Sequence, residues 1–190
     1  PGDLVHTSPL TFIASANCAR YVGATPALID IDPVTFNINS NQITENIQAV
    51  IPVHYAGLPV ELGSLPSRPR VIIEDASHTL GARSTTEKVG ATTHSDMCVF
   101  SFHPVKPITT GEGGAIFTNL KKEYRQIKLM RSHGIVKAIN KNKPWDSEMN
   151  FLGFNSRITD IQSALGISQL KKLDLFVKRR KKIAKFYIRY

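Results

Sequence analysis

The stretch RVIIEDAS, Arg70 to Ser77, decides the fold. Its first half is strongly apolar and short, which reads as a strand buried on both faces. It ends at Asp75, where a carboxylate is costly unless it finds a partner. Segments of the same kind lie on either side. Upstream, TFIASANCARYVGATPALIDID reads as a helix followed by a buried strand, with Thr11 or Ser8 as the cap and Gly23 as the stop. DLVHTSPLTF before it holds a short strand, and AVIPVHYAG is another that runs into a loop at His54–Pro59. Downstream, SDMCVFSF and GGAIFTN are strands, and LKKEYRQIKLMRSHG is a helix stopped by Gly134. SNQITENIQ is expected to form a short helix. The polar segment from Ile135 to Leu152, with the single tryptophan Trp145, is expected to be a long loop. From Thr159 onward the apolar spacing predicts one long helix leaving the domain. Strands alternating with helices imply an α/β domain with a mostly parallel or mixed sheet. In such sheets ligands bind beyond the carboxyl ends of the strands.

Composition sets the outer bounds. The chain has 190 residues, 42% hydrophobic and 21% charged, an ordinary balance for a globular protein. No apolar run is long enough to span a bilayer and no signal peptide pattern opens the chain. Cys18 and Cys98 are isolated in apolar surroundings and fit no metal spacing, so a reducing, cytoplasmic compartment is expected. The net charge is +9, and much of the excess lies in KKLDLFVKRRKKIAKFYIRY at the end. Such a run reads first as the solvated face of an amphipathic helix. A nucleic-acid or acidic membrane surface is the competing reading, and attraction of an anionic substrate is a third. The expectation is no nucleic acid and no membrane. The chain begins without methionine and stops inside a helical pattern, so it is expected to be a fragment.

The chemistry concentrates in SFHPVKPITTGEGG, Ser101 to Gly114. Pro104 and Pro107 fix the backbone on either side of Lys106. A lysine that must reach one carbonyl carbon to form a Schiff base gains from such a frame. A loop lysine with two chance prolines is the plainer alternative. Asp75 could hold a pyridine nitrogen protonated, as pyridoxal phosphate chemistry requires, and His78 could orient it or touch the ring. Ser101, five residues before Lys106, could bind a phosphate oxygen, and Phe12 could stack on a planar cofactor. Each also has a common structural role: a strand-end turn, a turn serine, a core aromatic. TTGEGG lacks the glycine spacing and following lysine of a P-loop. His54, His78, His94, His103 and His133 are too scattered for a metal site.

These residues resemble the DegT/DnrJ/EryC1/StrS family of sugar aminotransferases, pyridoxal phosphate enzymes of fold type I. The resemblance rests on TFIASANCARYVGATPALIDID, VIPVHYAG, IIEDASHTLGA, DMCVFSFHPVKPITTGEGG, MRSHGI and GFNSRITDIQSALGISQLKKLD, which cover nearly the whole chain in the family's order. Among its subgroups, SFHPVKPITTGEGG is similar above all to enzymes that aminate C4 of a UDP-linked 4-keto-6-deoxy-hexosamine on the way to pseudaminic acid. Enzymes acting on UDP-4-keto-pentose or GDP-4-keto-6-deoxymannose have similar windows.

The resemblance implies the central part of a large domain, built on a mostly parallel seven-stranded sheet that is incomplete here. Residues 1–157 would form this part, and 158–190 a long helix leading to a missing small domain. It implies Lys106 as Schiff-base lysine and proton shuttle, and Asp75 on the pyridinium nitrogen. His78 would stand against the cofactor, Ser101 on its phosphate and Phe12 beside its ring. Asn155 would reach the phosphate in a neighbouring subunit, and Arg157 would serve the shared substrate site of a homodimer. L-glutamate would be the amino donor and a nucleotide-linked keto-sugar the acceptor. Relatives with histidine in place of the lysine dehydrate instead, and Lys106 argues against that branch. The family's upstream phosphate-binding turn is not in this sequence, so the fragment alone is expected to bind cofactor poorly and to be inactive. A catalytically silent binding or regulatory protein, and a basic nucleic-acid binder working through Lys171–Arg189, are the competing readings.

Overall fold

A computed structural model describes residues 1–137, 142–143 and 145–188. Its centre is a six-stranded sheet. The strands are β1 (Leu4–Thr7), β2 (Thr25–Leu28), β3 (Ala49–Ile51), β4 (Val71–Asp75), β5 (Met97–Ser101) and β6 (Gly114–Phe117), in the order β2-β1-β3-β4-β5-β6. All neighbours are parallel except β5 and β6, which pair antiparallel from Cys98↔Phe117 to Ser101↔Gly114. Helix α1 (Ala14–Tyr21) connects β1 to β2 and packs on both. The chain then crosses back to the other side of β1, so β1 and β3 flank a topological switch point, where α/β sheets open a ligand crevice.

The core explains the register. Ile29, Ile38, Ile43, Ile47, Val50, Val60 and Ile72 form one buried cluster. Ala76, Cys98 and Phe100 form a second beneath β5. Strand β4 alternates, with Ile72 and Glu74 buried. The Glu74 carboxylate is tolerable there because it is fully partnered. It accepts from Ser95 Oγ and pairs with His54 Nε2 at 2.8 Å. His54 Nδ1 accepts the Val60 N–H at 3.0 Å. That bond leaves the ring proton on Nε2, so His54 donates to Glu74. The network fixes the bend after β3.

Four local expectations change. Neither Thr11 nor Ser8 caps α1: its N-cap is Ile13, without a side-chain bond, because Thr11 Oγ1 meets Ser15 Oγ at 2.8 Å and Ser8 donates to the Leu10 carbonyl. The expected helix in SNQITENIQ shrinks to one 3₁₀ turn, Ser40–Gln42, capped by Asn39 and followed by extended Ile43. Asparagine and serine bond locally to backbone and favour such turns over helix interiors.

The expected loop from Ile135 carries a hairpin, β7 (Ile135–Lys137) with β8 (Ser147–Met149); the rest of that loop falls partly on 138–141 and 144, outside the described residues. It follows helix α2 (Lys121–Met130), which Gly134 closes with φ +67° and its N–H on the Leu129 carbonyl. The long helix is two helices, α3 (Asp160–Leu170) and α4 (Leu173–Tyr187), broken at Lys171–Lys172. No proline or glycine marks the break. Helix α3 meets the β5–β6 loop at Thr110 and Glu112, and α4 meets that loop at Lys106 and the loop after β4 at Gly81. Among the described residues no helix is long and apolar enough to cross a membrane.

Candidate active site

Because β1, β3, β4 and β5 are parallel, their carboxyl ends share one edge of the sheet. Asp75 ends β4 there, its backbone tied to β3's continuation by Asp75 N–H to the Pro52 carbonyl at 2.9 Å and His54 N–H to the Asp75 carbonyl at 3.1 Å. Its carboxylate finds the partners that its position demands. Ser15 Oγ on α1 donates to Oδ2 at 2.7 Å, and the Ser77 N–H donates to Oδ1 at 3.1 Å. With the Ser15 proton committed to Asp75, Thr11 is the donor in its own bond to Ser15. A chain of hydroxyls therefore aims the carboxylate from across β3.

Lys106 stands on the loop between β5 and β6. The loop is closed at its base by Phe102 N–H to the Gly113 carbonyl at 2.8 Å and by Thr110 N–H to the Phe102 carbonyl at 3.0 Å. Pro107 and Ile108 are buried and anchor it, while Lys106 itself is half-buried. The Lys106 N–H turns back to the His103 carbonyl at 3.0 Å. Ser101, at the end of β5, accepts from the His103 N–H through Oγ at 3.3 Å.

His78 joins the two groups. Its pKa is held below the ordinary value of 6.5, first by partial burial and then by the Lys106 cation, with the Asp75 carboxylate opposing. The ring is therefore neutral at pH 7, with the lysine and the aspartate both in electrostatic range. Phe12, three residues before Ser15 on the turn into α1, is 76% exposed.

Asp75, His78, Ser101 and Lys106 thus gather at one edge, with Phe12 on the adjoining turn. Asn155 and Arg157 lie on the segment before α3, and Arg157 lines one cleft with Val99, Gly113 and Gly114. Asn155 bridges to Ser132, beyond the end of α2, and the neighbouring Ser156 N–H bonds the Arg131 carbonyl at 3.0 Å. Arg157 is exposed on the same segment. The sequence reading missed Ser15 and Thr11; their only trace is two hydroxyls four residues apart at the helix start. It also left His54 among scattered histidines, where its buried bond to Glu74 could not be seen.

Residues 1–190 match the DegT/DnrJ/EryC1/StrS aminotransferase family. The chain belongs to that family. A relative in Campylobacter jejuni, UDP-4-amino-4,6-dideoxy-N-acetyl-beta-L-altrosamine transaminase, is 45% identical over 195 residues, covering 97% of this chain and 50% of the relative. Among solved structures, Helicobacter pylori PseC, an aminotransferase involved in the biosynthesis of pseudoaminic acid, superimposes with a TM-score of 0.87 at 36% identity. That match covers 98% of this chain and 51% of PseC. The sugar aminotransferase Spr1654 of Streptococcus pneumoniae, described as putative and solved in its PLP form, gives 0.83 at 27% identity, over 98% of this chain and 53% of that one. The chain spans about half the length of the curated relatives it matches. The fold is the α/β fold type I of the family's solved sugar aminotransferases, as the resemblance implied.

Proposed function

We propose that the protein carrying these residues is a pyridoxal phosphate-dependent aminotransferase. It transfers the amino group of L-glutamate to the 4-keto group of a UDP-linked 4-keto-6-deoxy sugar, in pseudaminic acid biosynthesis. The observation that carries this reading is the meeting of Asp75 and Lys106 around His78 at the sheet's carboxyl edge. The likeness to the Campylobacter jejuni transaminase supports the choice of sugar.

The donor set fits the cofactor. A carboxylate already held by two donors suits a protonated pyridine nitrogen, a half-buried amine suits an aldehyde, and a strand-end hydroxyl suits a phosphate oxygen. Pyridoxal phosphate supplies an electron sink that makes the proton beside the amino group acidic. The protein's residues do the rest. Lys106 would hold the cofactor through its aldehyde carbon, and its free amine is the group that would carry a proton there. Asp75 keeps the ring nitrogen charged, and Ser15 keeps Asp75 aimed. Neutral His78 and exposed Phe12 offer surfaces to the ring, and Ser101 a donor to the phosphate.

Asn155 and Arg157, both exposed, suit a homodimer in which each serves the partner's site. A cytoplasmic setting and weak cofactor binding by the 190 residues alone belong to the same proposal. The test is turnover by the complete gene product with L-glutamate and a set of UDP- and GDP-linked 4-keto sugars, read by product mass. Exchange of the keto oxygen for an amine on the UDP-4-keto-6-deoxy-hexosamine supports the proposal. A protein that binds the cofactor yet aminates none of the set overturns it in favour of a silent binding protein.

A further inference from the structure

Helix α4 touches both loops of the site with one stripe. A side chain at Gly81, six residues past Asp75, would meet Leu173 Cδ2 at 3.3 Å and Val177 Cγ2 at 3.4 Å. Three residues further along the same face, Arg180 Nη2 donates to the Lys106 carbonyl at 3.2 Å. Positions 173, 177 and 180 share one side of a helix. The stripe thus rests its apolar part at Gly81, on the loop that follows Asp75, and its charged end on the lysine loop.

The Lys106 peptide has particular need of such a tie. Proline on one side at 104 and directly after it at 107 removes two backbone donors from the loop. Within the loop the Lys106 N–H is engaged by the His103 carbonyl. The carbonyl on the other side of Lys106, in its peptide with Pro107, is held from outside by a charged donor, the stronger kind of hydrogen bond.

We infer that Arg180 is a positioning residue for Lys106: by holding the Lys106 carbonyl it fixes where the amine is presented. The inference rests on the proposed role of Lys106. It also gives a use to one charge of the basic C-terminal run that the proposed reaction leaves unexplained.

The experiment uses the complete gene product freed of cofactor. Pyridoxal phosphate is added and its attachment followed by visible absorption in a stopped-flow instrument. Arg180→Met keeps the apolar stem and loses the donor; it is expected to slow attachment about fivefold, the effect of losing one such bond at a part-exposed site. Arg180→Gln, too short to reach, is expected to do the same. Arg180→Lys, which keeps a charged donor, should stay within about twofold of the parent, on the same scale. A normal rate in either Arg180→Met or Arg180→Gln overturns the inference, as does Arg180→Lys slowed as much as they are. Val177→Ala loosens the same helix without touching the bond, so an equal slowing there also overturns a role for Arg180 itself. Borohydride reduction and peptide mapping of the parent separate the two levels. A pyridoxyl group on Lys106 with unchanged variant rates removes only the inference; no group on Lys106 removes the reading of the site as well.

Discussion

Asp75 is aimed by a residue sixty positions away, and that contact is where the residue scale exceeds what sequence shows. Asp75 was legible because it ends an apolar strand, where a charge demands a reason, and Lys106 because Pro104 and Pro107 frame it. Ser15 was not, because a serine inside a helix pattern has ordinary uses and its bond to Asp75 spans the switch point. Ser15→Ala should leave the fold intact and weaken cofactor binding about tenfold, the scale of one hydrogen bond to a charged group, measured by spectrophotometric titration. His78 gives a pH prediction. Above its ordinary value of 6.5 it is neutral whether the chain is folded or not, so it adds nothing there. As pH falls through 6.5 the unfolded chain takes the proton first, and stability is lost until the lowered folded value is passed. His78→Asn should therefore lose less melting temperature than the parent between pH 7.5 and 5.5. An equal loss would mean that Lys106 and partial burial do not act on His78 as described.

Elements were legible in proportion to how local their causes are. The strands announced themselves by apolar runs, and Gly23 and Gly134 by the left-handed turns that glycine favours, with φ of +73° and +67°. The 3₁₀ turn at Ser40, the β7–β8 hairpin and the break between α3 and α4 were not legible. Hairpin strands of three residues leave almost no pattern, and no proline or glycine marks the break. The start of α3 carries a complete capping box, Thr159 with Gln162, and Gln162 Nε2 also reaches the Glu112 carbonyl at 3.0 Å. Thr159→Ala should cost about 1 kcal/mol, read from urea unfolding. A change below the error of that measurement would show that tertiary docking alone sets where α3 begins.

At the scale of the molecule, the parallel order of β1 to β5 does the functional work by bringing strand ends far apart in sequence to one edge. The alternation of strands and helices predicted that edge; strand order could not be read, because only tertiary pairing places β2 on one side of β1 and β3 on the other. Global packing is also testable through the two thiols. Cys98 is fully buried, and burial with the Glu74 and Asp75 carboxylates nearby pushes its pKa far up, whereas Cys18 is exposed. An aromatic disulfide reagent should titrate one thiol of these 190 residues in the native state and the second only on unfolding.

The central claim is that Lys106 holds pyridoxal phosphate against Asp75, and visible absorption of the complete gene product tests it most directly. With the cofactor added, the parent should show a lysine-bound band that L-glutamate bleaches. Lys106→Ala should form no such band with the protein and should lose amination by at least the roughly 10²–10⁴-fold that a positioned proton carrier contributes. A band of parental strength in Lys106→Ala, or none in the parent, would contradict the account.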